Sequence, residues 1–142
     1  MAKFNIISQF LKDISFESPN VPELFFKNDN GQAKLEINID IQIKGADNYL
    51  FMGDGITKVH SKLEAGEKSI FLIESTYSGL AQLEGEAIDE EDKKRTLLID
   101  VPTLLFPAVR ALVTRLTSES GFPTFTMQPV DFAQLYEQKQ AQ

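Results

Sequence analysis

The stretch KLEINIDIQIKG, residues 34–45, alternates apolar and polar side chains more cleanly than any other part of the chain. Successive side chains of a strand point to opposite sides, so this pattern predicts an antiparallel strand with one covered face and one face in water. The apolar side of the stretch consists of Leu35, Ile37, Ile39, Ile41 and Ile43.

Further strands are predicted on both sides of this stretch. The pattern of residues 3–17 predicts one long strand, or two strands separated by a break near Leu11. Residues 56–64 alternate less regularly, and residues 69–85 form a long β-rich run. The turn-forming sequences GADN (45–48) and AGEK (65–68) separate these strands.

Three helices are predicted in the last third of the chain, at residues 88–97, 101–121 and 129–140. Aspartates stand at two predicted helix starts, Asp89 and Asp131, and Gly121 is a plausible stop for the main helix. Pro107 must lie early in the main helix or bend it. No repeat or linker divides the sequence, so we expect a single domain over residues 1–142, with a C-terminal helix and short tail at 129–142.

Composition excludes several classes of protein. Acidic residues outnumber basic ones by 21 to 14, a net charge of −7 that repels nucleic acid and anionic lipid and suits a basic partner. Without cysteine, the chain can form no disulfide and no thiolate zinc site. The N-terminus, MAKFNIISQFLKD, lacks the apolar run of a signal peptide, and no segment approaches the ~18 apolar residues of a membrane helix. We therefore expect a soluble protein.

The main helix at 101–121 is more apolar than a single packing surface requires. A helix that packs on one sheet needs an apolar stripe only ~100° wide. Two interpretations remain: loose packing in a monomer, or burial on two sides between its own sheet and another subunit. We favour the second, because apolar residues cover well over half of the circumference, namely Leu104, Leu105, Phe106, Ala108, Val109, Ala111, Leu112, Val113 and Leu116.

The sequence does not support catalysis. The only histidine, His60, lies in a strand pattern with no nucleophile or acid at a recognisable spacing. MGDGITK (52–58) lacks the spacing of a phosphate-binding loop. DEED (89–92) lacks the turn glycine of a calcium loop and is better interpreted as a solvated helix start. We expect neither an enzyme nor a metal or cofactor site.

Two strand segments place acidic residues opposite apolar ones. In KDISFE (12–17), Asp13 and Glu17 lie on the face opposite Ile14 and Phe16. In FLIESTY (71–77), Leu72 and Glu74 share one face and Phe71 and Tyr77 the other. The acidic sides predict either a plain solvated surface or an acidic, slightly apolar patch that binds a partner.

Four stretches resemble a known family in order and spacing. KDISFESPNVP (12–22), IFLIE (70–74), LLFPAVRALVTRLTSESGFPTF (104–125) and PVDFAQLY (129–136) are similar to the signature stretches of SecB, the bacterial protein-export chaperone family. The resemblance covers nearly the whole chain and is weakest over residues 34–66 and 84–100.

The resemblance implies an α+β fold, with a four-stranded antiparallel sheet, one long helix and one short C-terminal helix. It implies a homotetramer, a dimer of dimers, in which edge strands and main helices join the subunits. The implied function is that of an ATP-independent cytoplasmic chaperone, a holdase, that binds unfolded preproteins and delivers them to the SecA motor.

The resemblance also implies which residues bind SecA. It implies that Asp13, Glu17, Leu72 and Glu74 bind the basic, zinc-bearing C-terminal tail of SecA, where the zinc belongs to the partner. A holdase must also expose contiguous apolar surface. We expect this client groove between the main helix, the second helix and the strand near Phe71, although Phe71 and Phe122 could instead belong to the core. The expected lining is Phe71, Tyr77, Phe122, Phe125, Leu135 and Tyr136.

The chain departs from the family in three places. It ends at EQKQAQ without the longer acidic tail of well-known members, which puts a contact of that tail with SecA in doubt. Ser78-Gly79 replaces a glycine pair, and DEEDKKR (89–95) is unusually charged. The alternatives are a SecB-like chaperone that serves a toxin–antitoxin pair and, with less support, a small α+β enzyme.

Overall fold

Four strands form one antiparallel sheet, and helices follow them in the chain. A computed structural model describes residues 3–19, 35–45, 55–65, 71–84, 89–122 and 125–140. The two predicted turns, GADN and AGEK, lie outside the described residues except for Gly45 and Ala65. The elements are β1 (Lys3–Glu17), β2 (Leu35–Gly45), β3 (Gly55–Ala65), β4 (Phe71–Glu84), α1 (Glu90–Arg95), a π-helical segment (Thr96–Asp100), α2 (Val101–Glu119) and α3 (Phe132–Gln140).

The strands lie in the order β1-β4-β3-β2, and every neighbouring pair is antiparallel. The predicted α+β fold is confirmed: a four-stranded sheet, one long helix and one short C-terminal helix. The first strand is continuous, and its register against β4 shifts between Ile6 and Ser8 and between Leu11 and Asp13. The predicted break near Leu11 is therefore a β-bulge within one strand.

One stripe of α2 covers the inner face of the two central strands. Val59 and Leu63 of β3 and Ile73 and Ala81 of β4 are at most 1% exposed. The helix contributes residues at every fourth position, which is the spacing of one helical face. These residues, Val101, Leu105, Val109 and Val113, are also at most 1% exposed.

The first two helices and the π-helical segment form one continuous helix of 30 residues, Glu90–Glu119. By length and composition alone this helix could cross a membrane, so the expectation that no segment approaches that limit was wrong. A buried core helix has the same properties, and the stripe against the sheet identifies it as one. Pro107 lies inside α2 rather than at its start, where it leaves the carbonyl of Thr103 without its helical donor.

A proline, Pro102, lies just after the π-helical segment. The amide of Val101 donates to the carbonyl of Thr96, one residue further back than in an α-helix. In the same register, the carbonyl of Leu97 would need the amide of Pro102, which has no N–H. The buried hydroxyl of Thr57 on β3 donates to that carbonyl instead, at 2.8 Å. A strand side chain thus completes the hydrogen bonding of the helix.

The predicted helix ends are confirmed at two of three positions. Asp131 accepts a hydrogen bond from the amide of Gln134 at 3.1 Å, as an N-cap does. Gly121 has φ 88°, and the amide of Phe122 donates to the carbonyl of Thr117 at 3.2 Å, which closes α2 in a Schellman motif. Asp89 precedes α1, but its side chain makes no capping bond. Three acidic side chains in the first turn of α1 provide the favourable charge there.

The sheet packs closely against α2 at Gly79 of β4. A Cβ atom at this position would lie 2.9 Å from Cδ2 and 3.1 Å from Cδ1 of Leu105. Real Cβ atoms do not tolerate such distances, and Leu105 is fully buried. The glycine therefore allows the leucine to fit against the sheet.

We expect Gly79→Val to lower the free energy of unfolding by about 1–3 kcal/mol, because an added side chain overpacks the contact with Leu105. Urea denaturation at fixed protein concentration measures the change. Gln82→Val, at an exposed position of the same strand, should change stability by less than about 0.5 kcal/mol. Equal effects of both variants would show that the close approach is unimportant.

Candidate functional site

The four residues expected to bind SecA lie together on the outer face of the sheet, opposite the helices. Directly paired residues of antiparallel strands point to the same side. Leu72 pairs with Glu17, Glu74 pairs with Ser15, and Thr76 pairs with Asp13. The structure thus brings Asp13, Glu17, Leu72 and Glu74 onto one surface, which we call the carboxylate patch.

The register adds carboxylates that the sequence analysis missed. Glu64 of β3 pairs with Leu72 on the side away from Glu17, and Glu36 of β2 pairs with Glu64. Leu72 therefore stands in a cross-strand row between two glutamates, and it is half-buried. Lys62 pairs with Glu74. The sequence analysis made no prediction for Glu64, and only the register shows that it neighbours Leu72.

The aromatic residues expected in the client groove divide into two groups. The first group surrounds Phe71, whose ring lies 6.1 Å from that of Phe16 and 5.5 Å from that of Phe122. Phe71 is only 5% exposed and Tyr77 only 9%, so both contribute mainly to the core. Phe122 and Phe125 are half-buried and pack against that core.

The second group lies at the other helices. Leu135 and Tyr136 of α3 line a hollow of about 120 Å³. The hydroxyl of Tyr136 donates to the Glu91 carboxylate at 3.0 Å, and the Arg95 guanidinium lies 5.4 Å from the ring centroid. Burial and the hydrogen bond to Glu91 raise the pKa of Tyr136 above its usual value. The other lining residues are Ile41, Leu98, Phe132, Lys139 and Gln140.

A larger hollow of about 400 Å³ lies between β2 and α1. Ile43 and Leu97 provide its apolar side chains, and lysines and glutamates of α1 form its rim. Ile37 and Ile43, on the inner face of β2, remain 37% and 42% exposed. The inner side of β2 is therefore an apolar surface bordered by both hollows. The alternation of residues 34–45 predicted this apolar face but not that it would remain open.

An ion pair holds α3 to the edge of the sheet. The Lys139 ammonium contacts the Asp40 carboxylate of β2. Its hydrogen bond and charge hold the pKa of Asp40 below the usual range. Together with the bond from Tyr136 to Glu91, this contact links α3 to the edge of the sheet and to α1 beside the smaller hollow.

The described residues contain no arrangement typical of catalysis. Nδ1 of His60 lies 3.0 Å from the hydroxyl of Thr76 on the neighbouring strand, an ordinary cross-strand contact. In the part of the chain that the structure describes, no three acidic or histidine side chains are close enough to hold a metal ion.

The chain matches the family model described as preprotein translocase subunit SecB over residues 1–142. It is 35% identical to the protein-export protein SecB of Caulobacter vibrioides over 141 residues, which cover 99% of this chain and 83% of that one. It is 32% identical to the protein of the same name from Rhodospirillum centenum over 132 residues, 93% of this chain and 76% of that one.

A solved structure also has this fold. The SecB-like chaperone Rv1957 of Mycobacterium tuberculosis, in complex with a ChAD peptide from the HigA1 antitoxin, superposes with a TM-score of 0.70. The alignment covers 89% of this chain and 87% of that one, at 14% identity. This likeness concerns the fold alone and gives no preference to the toxin–antitoxin alternative. The match over the whole chain and the identities above 30% show that the chain belongs to the SecB family of protein-export chaperones.

Proposed function

We propose that this export chaperone holds unfolded preproteins without ATP in the cytoplasm and delivers them to SecA. The observation that most supports separate binding of clients and SecA is the presence of two different surfaces on the two sides of the sheet. The carboxylate patch occupies the outer face, and the open apolar surface of β2 lies on the inner face. A client and SecA could therefore bind at the same time.

The inner surface suits an unfolded chain because it is apolar and bordered by charge. Contacts worth about 25 cal/mol per Å² of buried apolar area add up without sequence specificity. Folded proteins keep their apolar residues inside and would not compete. The net charge of −7 favours basic clients. We place the groove along Ile41 and Ile43 and include the expected residues Phe122, Phe125, Leu135 and Tyr136, with Phe71 and Tyr77 as supporting core.

The client groove is tested by Ile43→Ser and Leu135→Ser, which remove apolar contacts at the larger and the smaller hollow. Each should weaken binding of an unfolded preprotein by about three- to tenfold, because each removes about 1 kcal/mol of apolar contact. Fluorescence anisotropy with a labelled, unfolded preprotein measures the affinity without ATP.

Gln42→Ser is the matched control, because Gln42 is exposed on the outer face of the same strand. Its affinity for the preprotein should equal that of the unchanged protein. Unchanged affinity of both groove variants would place the client surface elsewhere.

The outer surface suits a basic partner. Its carboxylates attract and orient a cationic peptide, and Leu72 provides an apolar contact that loses water on binding. The basic, zinc-bearing tail of SecA fits this chemistry. The zinc stays with the tail, and Asp13, Glu17, Leu72 and Glu74 contact the surrounding basic residues.

We expect Glu74→Lys to abolish binding of the SecA tail peptide, because it places a second positive charge beside Lys62 and repels the peptide. Calorimetry at rising salt should also show weaker binding to the unchanged protein, since the Debye length is about 10 Å at 0.1 M. Glu84→Lys makes the same change near the far end of β4 and should leave the affinity unchanged. Normal binding to Glu74→Lys would show that the patch is only a solvated surface.

Exposed apolar residues support assembly into a dimer of dimers. In the edge strand β1, Ile7, Phe10 and Leu11 are 43%, 40% and 39% exposed. On α2, Leu104 is 57% exposed although the opposite side of the helix is buried in the core. An edge strand also offers unpaired backbone groups. We propose that subunits join through β1 and α2.

The expected native mass is four times the chain mass of 16.0 kDa. Leu104→Asp should dissociate the assembly, because an unpaired charge in an interface costs several kcal/mol. Sedimentation equilibrium distinguishes the species. Gln138→Asp adds the same charge at an exposed position of α3 and should preserve the tetramer. Sedimentation of the unchanged protein as a monomer at micromolar concentration would contradict the proposed assembly.

A further inference from the structure

The outer face of the sheet contains a hollow of about 330 Å³ that the proposed function does not use. Two lysines from different strands border it, Lys12 of β1 and Lys58 of β3, and polar side chains complete the wall. The remaining lining residues are Asp13, Gln42, His60 and Thr76. We call this site the lysine hollow.

The register of the sheet explains why the lysines meet. Lys12 lies at the second register shift of β1, between Leu11 and Asp13, so it has no direct partner on β4. Lys58 pairs with Ser78 of β4 and with Gln42 of β2. The bulge thus directs a lysine toward the row that already contains Lys58.

The two ammonium groups repel each other. The nearby positive charge of Lys12 lowers the pKa of Lys58, with smaller contributions from desolvation and from Lys44. Among the described residues, neither Lys12 nor Lys58 has a carboxylate within salt-bridge distance. In the same cross-strand row, the buried hydroxyl of Ser78 has no hydrogen-bond partner among those residues. A negatively charged group bound here would relieve the repulsion.

The lysine hollow and the carboxylate patch share Asp13 and extend from it in opposite directions along one surface. Glu64, beside Leu72, and Lys58 lie six positions apart on β3, a distance of about 20 Å along a strand. The outer face is therefore negative toward one end of the strands and positive further along them. A partner with a matching order of charges binds in one direction, because reversal would bring like charges together.

We propose that the lysine hollow binds a carboxylate-bearing segment of the protein partner whose basic residues occupy the carboxylate patch. Asp13 in the wall repels any anion, but it repels a singly charged carboxylate less than a multiply charged phosphate. This inference rests on the proposed docking role of the outer face and adds the direction in which the partner lies on it.

The first test uses a fluorescein-labelled hexaglutamate peptide at low salt. The double variant Lys12→Gln with Lys58→Gln should bind it about five- to tenfold more weakly, the loss expected for two exposed charge contacts. Lys3→Gln with Arg110→Gln removes the same charge at exposed positions elsewhere and should change the affinity less than about twofold. Equal losses in the two double variants would overturn the inference. Inorganic pyrophosphate that displaces the peptide at equal or lower concentration would also overturn it, by indicating a small-anion site.

The second test uses a peptide with three lysines and three glutamates, separated by six Gly/Ser residues. If one partner spans both sites, this peptide should bind at least tenfold more tightly than either half, and Lys12→Gln with Lys58→Gln should remove that gain. No gain from joining the halves would overturn the single-partner arrangement. Failure of the SecA docking itself is recognised separately, because Glu74→Lys would then leave the affinity for the SecA tail unchanged.

Discussion

One helix covers a sheet that is wider than the helix. An α-helix with its side chains is about 10–12 Å across, whereas four strands spaced about 4.8 Å apart present a broader surface. The stripe of α2 buries β3 and β4, but residues on the same inner face of the edge strands stay open: Leu11 of β1 is 39% exposed, and Ile43 of β2 is 42% exposed. The incomplete cover leaves two apolar margins, and we propose that one contacts other subunits and the other binds clients. Both proposed roles of the inner face depend on this mismatch.

The sheet also separates the two proposed binding surfaces, the apolar surface of β2 and the carboxylate patch. Adjacent residues of a strand, such as Gln42 and Ile43, contribute to opposite sides of it, because side chains alternate. Apolar contact dominates on one side and charge on the other, so salt should affect them differently. Under the proposed function, a partner on the outer face therefore need not displace a client from the inner face in order to bind.

Periodicity predicted most of the fold, and it failed where distant residues decide the outcome. The alternation of residues 34–45 correctly predicted which residues share each face of β2, and Gly121 correctly predicted the end of α2. Glu64 entered the carboxylate patch only through the register of β3 against β4. Phe71 was expected in a groove, but the rings of Phe16 and Phe122 enclose it. Local patterns determine the side of a strand on which a residue lies, and they do not determine its neighbours or what covers it.

The π-helical turn at Thr96–Asp100 has the form of a single-residue insertion into an α-helix. Loss of one residue there would rotate α1 by about 100° relative to α2, since each residue turns an α-helix by that angle. The charged residues of α1 that now border the larger hollow would then face another direction. Insertion or deletion at this turn is therefore a route by which related chaperones could diverge in the clients they accept, with the sheet and its partner surface unchanged.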